Sequence, residues 1–381
     1  MLRSRKSRVV LPSALAAAAL FFSLGRGVVP GAPQSASARD SLRVMERVIG
    51  YIKADYLEEP DPRKVMDGAL QGLVNSLDIR SGYLDKAAAG VYAAGAKSPL
   101  KDIGAVLFKQ ANAFPLVIAV LENSPAAKAG LKIGDTLSAV DDRSTLVWSL
   151  TEAEIRLKDP VGGKVKLRVI RDNATKELTV ERASIYPAPF TVTPAKGTAG
   201  IVRVRHFFAP LAAEFRKSTA AALAAAAGPI VLDLRDCHEG EIAEAAAFVN
   251  VFLKSERVGS FEKKGGAKDD LACPDAPALA AQPLVVWVNQ ATMGPAEIAA
   301  AALRDQRKAK VVGIATPGLA GRQELFPLGE GDALVLTTSV FSRPSGEKVW
   351  GKGLAPDVVL DIHKLETKDY LEKTPGLAPG R

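Results

Sequence analysis

The chain has few residues of the types that carry out nucleophilic or metal chemistry. Two cysteines are too few for a disulfide framework. With only three histidines besides, the chain has few ligands for a metal site. Cys237 and His238 are adjacent, and a thiol beside an imidazole could act as a nucleophile with its base. Adjacent residues of an extended segment point to opposite faces, however, so this pairing is not favoured. We predict a loop histidine, a buried or disulfide-bonded cysteine, and no metal or cofactor.

Serines and lysines come close together near the C-terminal end. Ser339 and Ser342 fall in a predicted strand region, and Lys348 and Lys352 follow them. A serine hydroxyl becomes a nucleophile when a base takes its proton, and a partly desolvated lysine can be that base. No sequence pattern pairs one of these serines with one of these lysines, so we do not predict an active centre here.

Helices and then strands make up the first half of the chain. Apolar residues between positions 40 and 95 recur with a period of 3.6, which predicts two helices separated by Pro60-Asp61-Pro62. Residues 98–183 change to short strands divided by turns. The predicted strands are 103–108, 116–121, 136–140, 165–171 and 176–181. Short helices are predicted over 124–131, with Ser124 as the N-cap, and around 151–157.

Strands and helices alternate from residue 199 to residue 360. Continuous apolar strands at 230–234 and 284–288 are typical of a sheet that is covered on both faces. Helices are predicted over 211–226, 242–253 and 296–303. This alternation predicts an α/β layer fold. Residues 363–381 are polar and contain two prolines, which predicts a mobile C-terminal tail.

The first 38 residues have the layout of a targeting signal. Four basic residues precede an apolar stretch over 9–24, and a segment of small residues ends at Ala38. We predict a secretory signal peptide, residues 1–38, and export to the periplasm or cell envelope. The alternative is an uncleaved membrane anchor, for which about 16 apolar residues interrupted by Pro12 are short. Only through that uncleaved segment would the chain meet a membrane.

The positive net charge does not point to a nucleic-acid partner. The formal charge is +8, and a basic chain invites that hypothesis. Residues 1–38 hold five positive charges and no negative one, so the cleaved chain would carry only +3. We therefore predict no nucleic-acid binding. The composition, 48% apolar and 24% charged, also excludes disorder as the main state.

Export would also change the chemistry of the two cysteines. In an oxidising compartment Cys237 and Cys273 could form one disulfide. Their spacing does not show whether their Cα atoms come within bonding distance, so bonded and free states both stay open.

Five short segments carry a more specific pattern. They are Leu77-Asp78 with Ser81-Gly82-Tyr83-Leu84, Ser124-Pro125-Ala126 with Ala129-Gly130-Leu131 and Gly134-Asp135, Leu232-Asp233-Leu234-Arg235, Pro344-Ser345-Gly346, and Gly351-Lys352-Gly353-Leu354-Ala355-Pro356-Asp357. In this order they resemble the carboxyl-terminal processing proteases, the tail-specific serine peptidases, over residues 41–362. The resemblance implies an N-terminal helical region (39–97), a β-barrel-like PDZ domain (98–183) and an α/β protease core of the ClpP/crotonase type (184–362).

The resemblance also implies a serine–lysine dyad, but both positions hold other residues here. In the family the serine lies in a Thr-x-Ser-x-Ala-Glu segment that opens a helix, and the lysine that takes its proton comes 25 residues later. The matching segment places Gly294 at the serine position and Leu319 at the lysine position. Gln323 matches the family's glutamine that orients the lysine.

The loop that would stabilise an oxyanion departs from the family as well. The family's Asn-Asn-Pro-Gly-Gly loop corresponds to Asp236-Cys237-His238-Glu239-Gly240. Gly240 is retained, but Glu239 replaces a glycine whose backbone helps to hold the oxyanion, and a carboxylate there would oppose the developing negative charge. The resemblance therefore predicts a catalytically degenerate member.

The PDZ resemblance implies a site for protein C-termini. A PDZ domain binds a tail as an added strand and captures its carboxylate in a nest of backbone N–H groups. The matching nest is Lys101-Asp102-Ile103-Gly104-Ala105, where Asp102 takes the place of a usual glycine. Asp102 could repel a terminal carboxylate and Lys101 could attract one. Tail binding and a PDZ domain that only packs against the core both stay open.

Three functions are compatible with these residues. The preferred one is an exported, non-catalytic homologue that binds protein C-terminal tails, unfolded exported proteins or an active protease. The second is an active serine-type endopeptidase that uses an unconventional nucleophile, and the third is a structural envelope scaffold. The first is preferred because three elements of one mechanism are missing from a frame that is otherwise intact.

Overall fold

The structure is a computed structural model of the chain, and it describes residues 38–96, 99–186, 188–254, 257–273 and 282–374. The predicted signal peptide lies outside these residues, apart from Ala38. The chain divides into two compact units, Met1–Val65 and Met66–Arg381. Within the part of the chain that the structure describes, no helix is both long enough and apolar enough to cross a membrane.

Both predicted N-terminal helices are confirmed. Helix α1 (Ala38–Asp55) lies in the first unit, and helix α2 (Pro62–Asn75) begins there and ends in the second unit. The apolar residues that give α1 its helical period are largely exposed, for example Leu42 at 64% and Val48 at 49%. In the second unit, strand β1 (Gly82–Leu84) and helix α3 (Lys86–Ala94) follow.

The next part of the chain, from residue 99 to 186, forms a six-stranded antiparallel sheet with two short helices. Its elements are β2 (Ala105–Phe108), β3 (Leu116–Val120), α4 (Pro125–Lys128), β4 (Thr136–Val140), β5 (Arg143–Ser144), α5 (Leu150–Arg156), β6 (Gly163–Arg171) and β7 (Ala174–Arg182). The strand order is β2-β3-β4-β6-β7, with β5 on β4, so β2 is an edge strand. Ser124 caps α4 as predicted, because its hydroxyl accepts a hydrogen bond from the Ala127 N–H at 3.2 Å.

A central, mostly parallel sheet confirms the predicted α/β layer. Its strands are β8 (Phe190–Thr193), β9 (Gly200–Val204), β10 (Ile230–Asp233), β13 (Leu284–Val288), β14 (Lys310–Gly313) and β17 (Val358–Val359), in the order β17-β14-β13-β10-β9-β8. Only β8 pairs antiparallel. Every residue of β10 and β13 is buried, as their continuous apolar sequences predict.

Four helices accompany this sheet. They are α6 (Leu211–Ser218), α7 (Ala220–Ala225), α8 (Ile242–Val249) and α9 (Pro295–Arg307). The prediction of one helix over 211–226 is wrong, because Thr219 has φ −130° and divides the segment into α6 and α7. In α9, all residues from Pro295 to Leu303 are buried, so this helix runs through the core.

A third, antiparallel sheet combines distant parts of the chain. It contains β1, β11 (Gly259–Lys263), β12 (Lys268–Leu271), β15 (Gly321–Pro327) and β16 (Ala333–Ser342). Ala333 to Val335 of β16 pair with β1 and also with β15, so those two strands lie on opposite sides of β16. Among the described strands β15 has no partner on its other edge.

The predicted mobile tail is wrong for residues 363–374. Helix α10 (Thr367–Lys373) buries Tyr370 completely, and the Tyr370 hydroxyl donates to the Val288 carbonyl at 2.8 Å. The Trp287 indole N–H donates to the Thr374 hydroxyl at 2.9 Å. Two buried residues, Tyr370 and Thr374, therefore anchor a segment whose composition is mostly polar. Residues 375–381 lie outside the described part of the chain.

Candidate functional site

One cleft brings together the positions that the sequence assigned to a single mechanism. It has a volume of about 770 Å³ and is lined by β15, the end of α3, the loop before α8 and the start of α9. Gly294, Leu319, Gln323, Glu239 and Gly240 all line it. None of the described residues that line the cleft is a serine, a threonine or a cysteine.

Gly294 forms a sharp turn between the loop after β13 and helix α9. Its φ of 55° and ψ of −114° belong to a conformation that residues with a side chain rarely adopt. A Cβ atom at this position would lie 4.0 Å from the Leu319 carbonyl oxygen, with nothing closer. There is thus room for a side chain but strain in the backbone, and glycine relieves that strain. The same distance shows that the two dyad positions are adjacent in space.

Glu297 holds this turn in place. Its carboxylate is fully buried and accepts hydrogen bonds from the backbone N–H groups of Gly294 (3.0 Å), Gly318 (2.7 Å) and Leu319 (2.7 Å), and from the Thr316 hydroxyl (2.5 Å). Burial raises the pKa of Glu297, although these donors favour the ionised form. Glu297 therefore fastens the loop that carries Leu319 to the start of α9.

Leu319 and Gln323 make contacts of a structural kind. Leu319 is 5% exposed and belongs to the apolar cluster that forms the interior of the sheet from β2 to β7. Ala291 and Met293 belong to the same cluster, so this domain packs on the protease-like core around the dyad positions. Gln323 Nε2 lies 3.4 Å from the Thr337 hydroxyl and has no lysine to orient.

A buried charge cluster borders the cleft where the two domains meet. The Lys158 ammonium, just after α5, is hydrogen-bonded to the Glu239 carboxylate and lies 3.6 Å from Asp102 Oδ2. Burial would raise the pKa of Glu239, but the Lys158 ammonium holds that pKa well below its usual value. Burial would lower the pKa of Lys158, but Glu239 and Asp102 raise it overall. The Glu239 carboxylate is thus neutralised by a lysine of the other domain, which no sequence signal had paired with it.

The surroundings of His238 favour its imidazolium form. Its Nδ1 lies 3.0 Å from the Asp236 carbonyl oxygen, and its Nε2 lies 3.2 Å from Glu239 Oε1. Both neighbours are acceptors only, so each ring nitrogen needs a proton. Burial would lower the pKa of His238, but the hydrogen bond to Glu239 raises it overall. A doubly protonated ring cannot take a proton from a nucleophile, so His238 is not a base here.

Both cysteines are free, so the disulfide that Cys237 and Cys273 could have formed is absent. Cys237 is fully buried under the loop before α8, where its carbonyl accepts from the Met293 N–H at 3.0 Å. Burial raises the pKa of its thiol, which disfavours a thiolate nucleophile. Cys273 lies elsewhere, with its Sγ 3.5 Å from the Ala246 carbonyl on α8.

The remaining hydroxyl and lysine candidates do not reach the cleft. Thr292 is fully buried and donates to the Leu234 carbonyl at 2.9 Å, so its hydroxyl has a structural role. Ser339 and Ser342 are buried in β16 and are not part of the cleft lining. Lys348 pairs with Glu262 at 2.9 Å on the surface. In the described residues, no group of three or more histidine, cysteine or acidic side chains could hold a metal ion.

The nest of the PDZ-like domain is already filled by one of its own side chains. Asp102 is 3% exposed, and its Oδ1 accepts hydrogen bonds from the Ile103 N–H (2.5 Å) and the Gly104 N–H (3.2 Å). Burial raises the pKa of Asp102, although Lys158 acts to lower it. Lys101 donates to the Val161 carbonyl instead of facing the nest. Asp102 therefore does not face an incoming carboxylate, as the sequence suggested, but takes its place.

The comparisons with known proteins agree with this architecture. The profile of the PDZ domain matches residues 102–181, and that of peptidase family S41 matches residues 198–360. The chain is 28% identical over 318 residues to the carboxy-terminal-processing protease of Bartonella bacilliformis (81% of this chain, 73% of that protein). It is 27% identical over 369 residues to the carboxy-terminal processing protease CtpA of Bacillus subtilis (96% and 78%).

A solved structure shows the same fold over most of the chain. The photosystem II D1 C-terminal processing protease superposes with a TM-score of 0.68 at 20% identity, over 89% of this chain and 94% of that one. The order of domains, the matching profiles and the relatives all agree with the resemblance that the sequence motifs indicated. The chain thus consists of N-terminal helices, a PDZ domain and a peptidase family S41 domain, and it is a homologue of the carboxyl-terminal processing proteases.

Proposed function

We propose that this chain is a non-catalytic homologue of the processing proteases that binds extended segments of other proteins in the cell envelope. The observation that carries the proposal is the composition of the cleft: its described lining has no serine, threonine or cysteine, although the backbone of the family site is present. Export is proposed from the signal-like sequence of residues 1–38.

Two chemical requirements for peptide hydrolysis, a nucleophile and a base, lack their groups. The nucleophile position is Gly294, which has no side chain, and the base position is the apolar Leu319. Lys158, the lysine in the cleft lining, is tied to Glu239, and its pKa is raised, so it is a poor base. Acyl transfer needs a nucleophile, a base and an oxyanion site together, and the first two are missing.

The cleft nevertheless has features that suit an extended polypeptide. The residues of β15 from Gly321 to Leu325 line it, and the outer edge of this strand has no partner among the described strands. An open strand edge binds an extended segment by main-chain hydrogen bonds, with side chains entering adjacent pockets. Protein C-terminal tails and unfolded exported proteins are the proposed ligands, and an active protease is a further candidate partner.

A cleavage assay tests the lack of catalysis. We expect the purified chain without residues 1–38 to release no product from a quenched fluorescent peptide of unstructured sequence. A fluorophosphonate probe and a cysteine-directed probe should leave the cleft unlabelled. Turnover by the purified chain, or covalent labelling of a cleft residue, would support an active peptidase and overturn the proposal. The variant Gly294→Ser/Leu319→Lys shows whether the frame can regain activity.

A binding assay tests whether the chain binds extended peptides. We expect the chain to capture members of an array of randomised ten-residue peptides with selectivity among sequences. Leu325→Pro, which places a rigid residue on the lining part of β15, should weaken capture, whereas Val359→Pro on the far edge of the central sheet serves as the matched control. Capture without any sequence selectivity would instead favour the scaffold function.

A further inference from the structure

We propose that Asp102 is a specificity-determining residue: its carboxylate fills the PDZ nest, so that partner recognition does not depend on a free C-terminal carboxylate. The inference rests on the proposed peptide-binding function. It also names the ligand class more closely, as extended segments with either free or blocked ends.

The geometry of the nest carries this inference. The Ile103 and Gly104 N–H groups converge on one oxygen, Asp102 Oδ1, at 2.5 and 3.2 Å. Gly104 has φ +82°, the left-handed conformation that turns successive N–H groups toward a single acceptor. Asp102 itself is fixed by two backbone hydrogen bonds to Ala183, each 2.9 Å long.

A second carboxylate cannot share these donors. Each backbone N–H has one hydrogen to donate, and both converging hydrogens are used by Asp102. A peptide carboxylate would have to displace the Asp102 side chain, which is 3% exposed. It would also bring a second negative charge next to the first, which is unfavourable in a buried site.

The neighbouring groups hold the filled nest in place. Lys158 lies 3.6 Å from Asp102 Oδ2 and is hydrogen-bonded to Glu239, so the nest is tied to the loop of the other domain. Both faces of the edge strand β2 are covered, because Val106 and Leu107 are each 1% exposed although successive residues of a strand face opposite sides. The residues of β15 line the cleft, and the outer edge of this strand has no partner among the described strands, so it offers an extended ligand a route that does not use the nest.

Hydrogen exchange tests the filled nest independently of any ligand. We expect the Ile103 and Gly104 amides of the full chain to be protected, and to exchange at least about tenfold faster in Asp102→Gly. Asp102→Asn keeps an acceptor oxygen and should keep most of the protection. The peptide covering α9 serves as an internal control for global unfolding. Equal exchange in the wild type and in Asp102→Gly, with α9 unchanged, would overturn the inference.

Paired peptides test the consequence for recognition. Each ten-residue peptide of the randomised array is made with a free carboxylate and with a C-terminal amide. We expect the wild type and Asp102→Asn to bind both forms within about twofold, and Asp102→Gly to prefer the carboxylate by about tenfold. A wild-type preference of about tenfold for free carboxylates would overturn the inference. A preference of the same size in Asp102→Asn would also overturn the inference. It would show that the negative charge of Asp102, and not its occupation of the nest, weakens the binding of free carboxylates.

The two assays separate the two proposals. If the wild type binds neither form of any peptide while the exchange result holds, the proposed peptide-binding function fails and the filled nest stands. If peptides bind but the amides of residues 103 and 104 exchange freely, the proposed peptide-binding function stands and the filled nest fails.

Discussion

Lys158 of the PDZ domain and Glu239 of the peptidase-like domain form a buried ion pair, with side chains that are 15% and 11% exposed. Glu239 stands where the family has a glycine of the oxyanion loop, and Lys158 also lies 3.6 Å from the carboxylate that fills the PDZ nest. One ammonium group thus connects the former oxyanion loop with the former carboxylate nest.

The ion pair makes Lys158→Met a strongly destabilising change. We expect the free energy of unfolding to fall by about 3–5 kcal/mol, because Glu239 and Asp102 would stay buried without their counter-ion. Chemical unfolding measures the loss. The matched control is Arg168→Met, whose pair with Glu177 is exposed, and it should lose no more than about 1 kcal/mol. Equal losses in the two variants would show that the Lys158 pair is not buried in solution.

His238 should make stability depend on pH near neutrality. Its pKa is raised in the folded chain, because the hydrogen bond to Glu239 outweighs burial. A raised pKa means that the folded state holds the proton more tightly than the unfolded state. The stabilisation is therefore complete below pH 6.5 and is lost as the pH rises through the folded-state pKa. Urea unfolding between pH 5.5 and 8.5 should show this decline in the wild type and a flatter profile in His238→Gln.

The backbone at position 294 predicts the effect of restoring the family's serine. Gly294→Ser should destabilise the chain by about 1–3 kcal/mol, because φ is positive there even though a side chain would have room. The matched control is Gly90→Ala in α3, an exposed helical site with nothing within 4 Å of the added Cβ. It should stabilise by about 0.5–1 kcal/mol. Thermal unfolding of both variants measures these changes. An unchanged unfolding midpoint for Gly294→Ser would show that a side chain at position 294 causes no backbone strain.

Helix α10 should stabilise the fold through the burial of Tyr370. Tyr370→Ala should lower the free energy of unfolding by about 3–5 kcal/mol, since it empties a buried aromatic site beside Trp287. Arg235, whose guanidinium lies 4.5 Å from the Tyr370 ring centroid, would lose that contact too. The exposed Lys368→Ala on the same helix is the control and should change little. Trp287 fluorescence reports the unfolding, and equal effects of the two variants would mean that α10 does not dock.

Local sequence patterns were sufficient for most elements of the fold. Strands Thr136–Val140 and Leu284–Val288 were predicted residue for residue, because alternation or continuous apolar character is a property of a short segment. The docked helix α10 was not predicted, since it depends on the distant packing partner Trp287. The break at Thr219, where φ is −130°, was also not predicted. Strand β15 was missed because its polar residues are stabilised by pairing with β16 and not by burial.

The residue types at the positions that match the family's dyad and oxyanion loop can be identified from the chain alone. Gly294, Leu319 and Glu239 are identities in a printed chain, and the chemistry of a missing hydroxyl or amine follows from them without coordinates. The contacts that Leu319 and Glu239 make follow only from the folded arrangement of the chain. Whether Asp102 and Glu239 meet a counter-ion depends on distances to Lys158, which lies 56 and 81 residues away from them in the chain. Electrostatic interactions of buried groups are set by those distances and by burial, which no local pattern encodes.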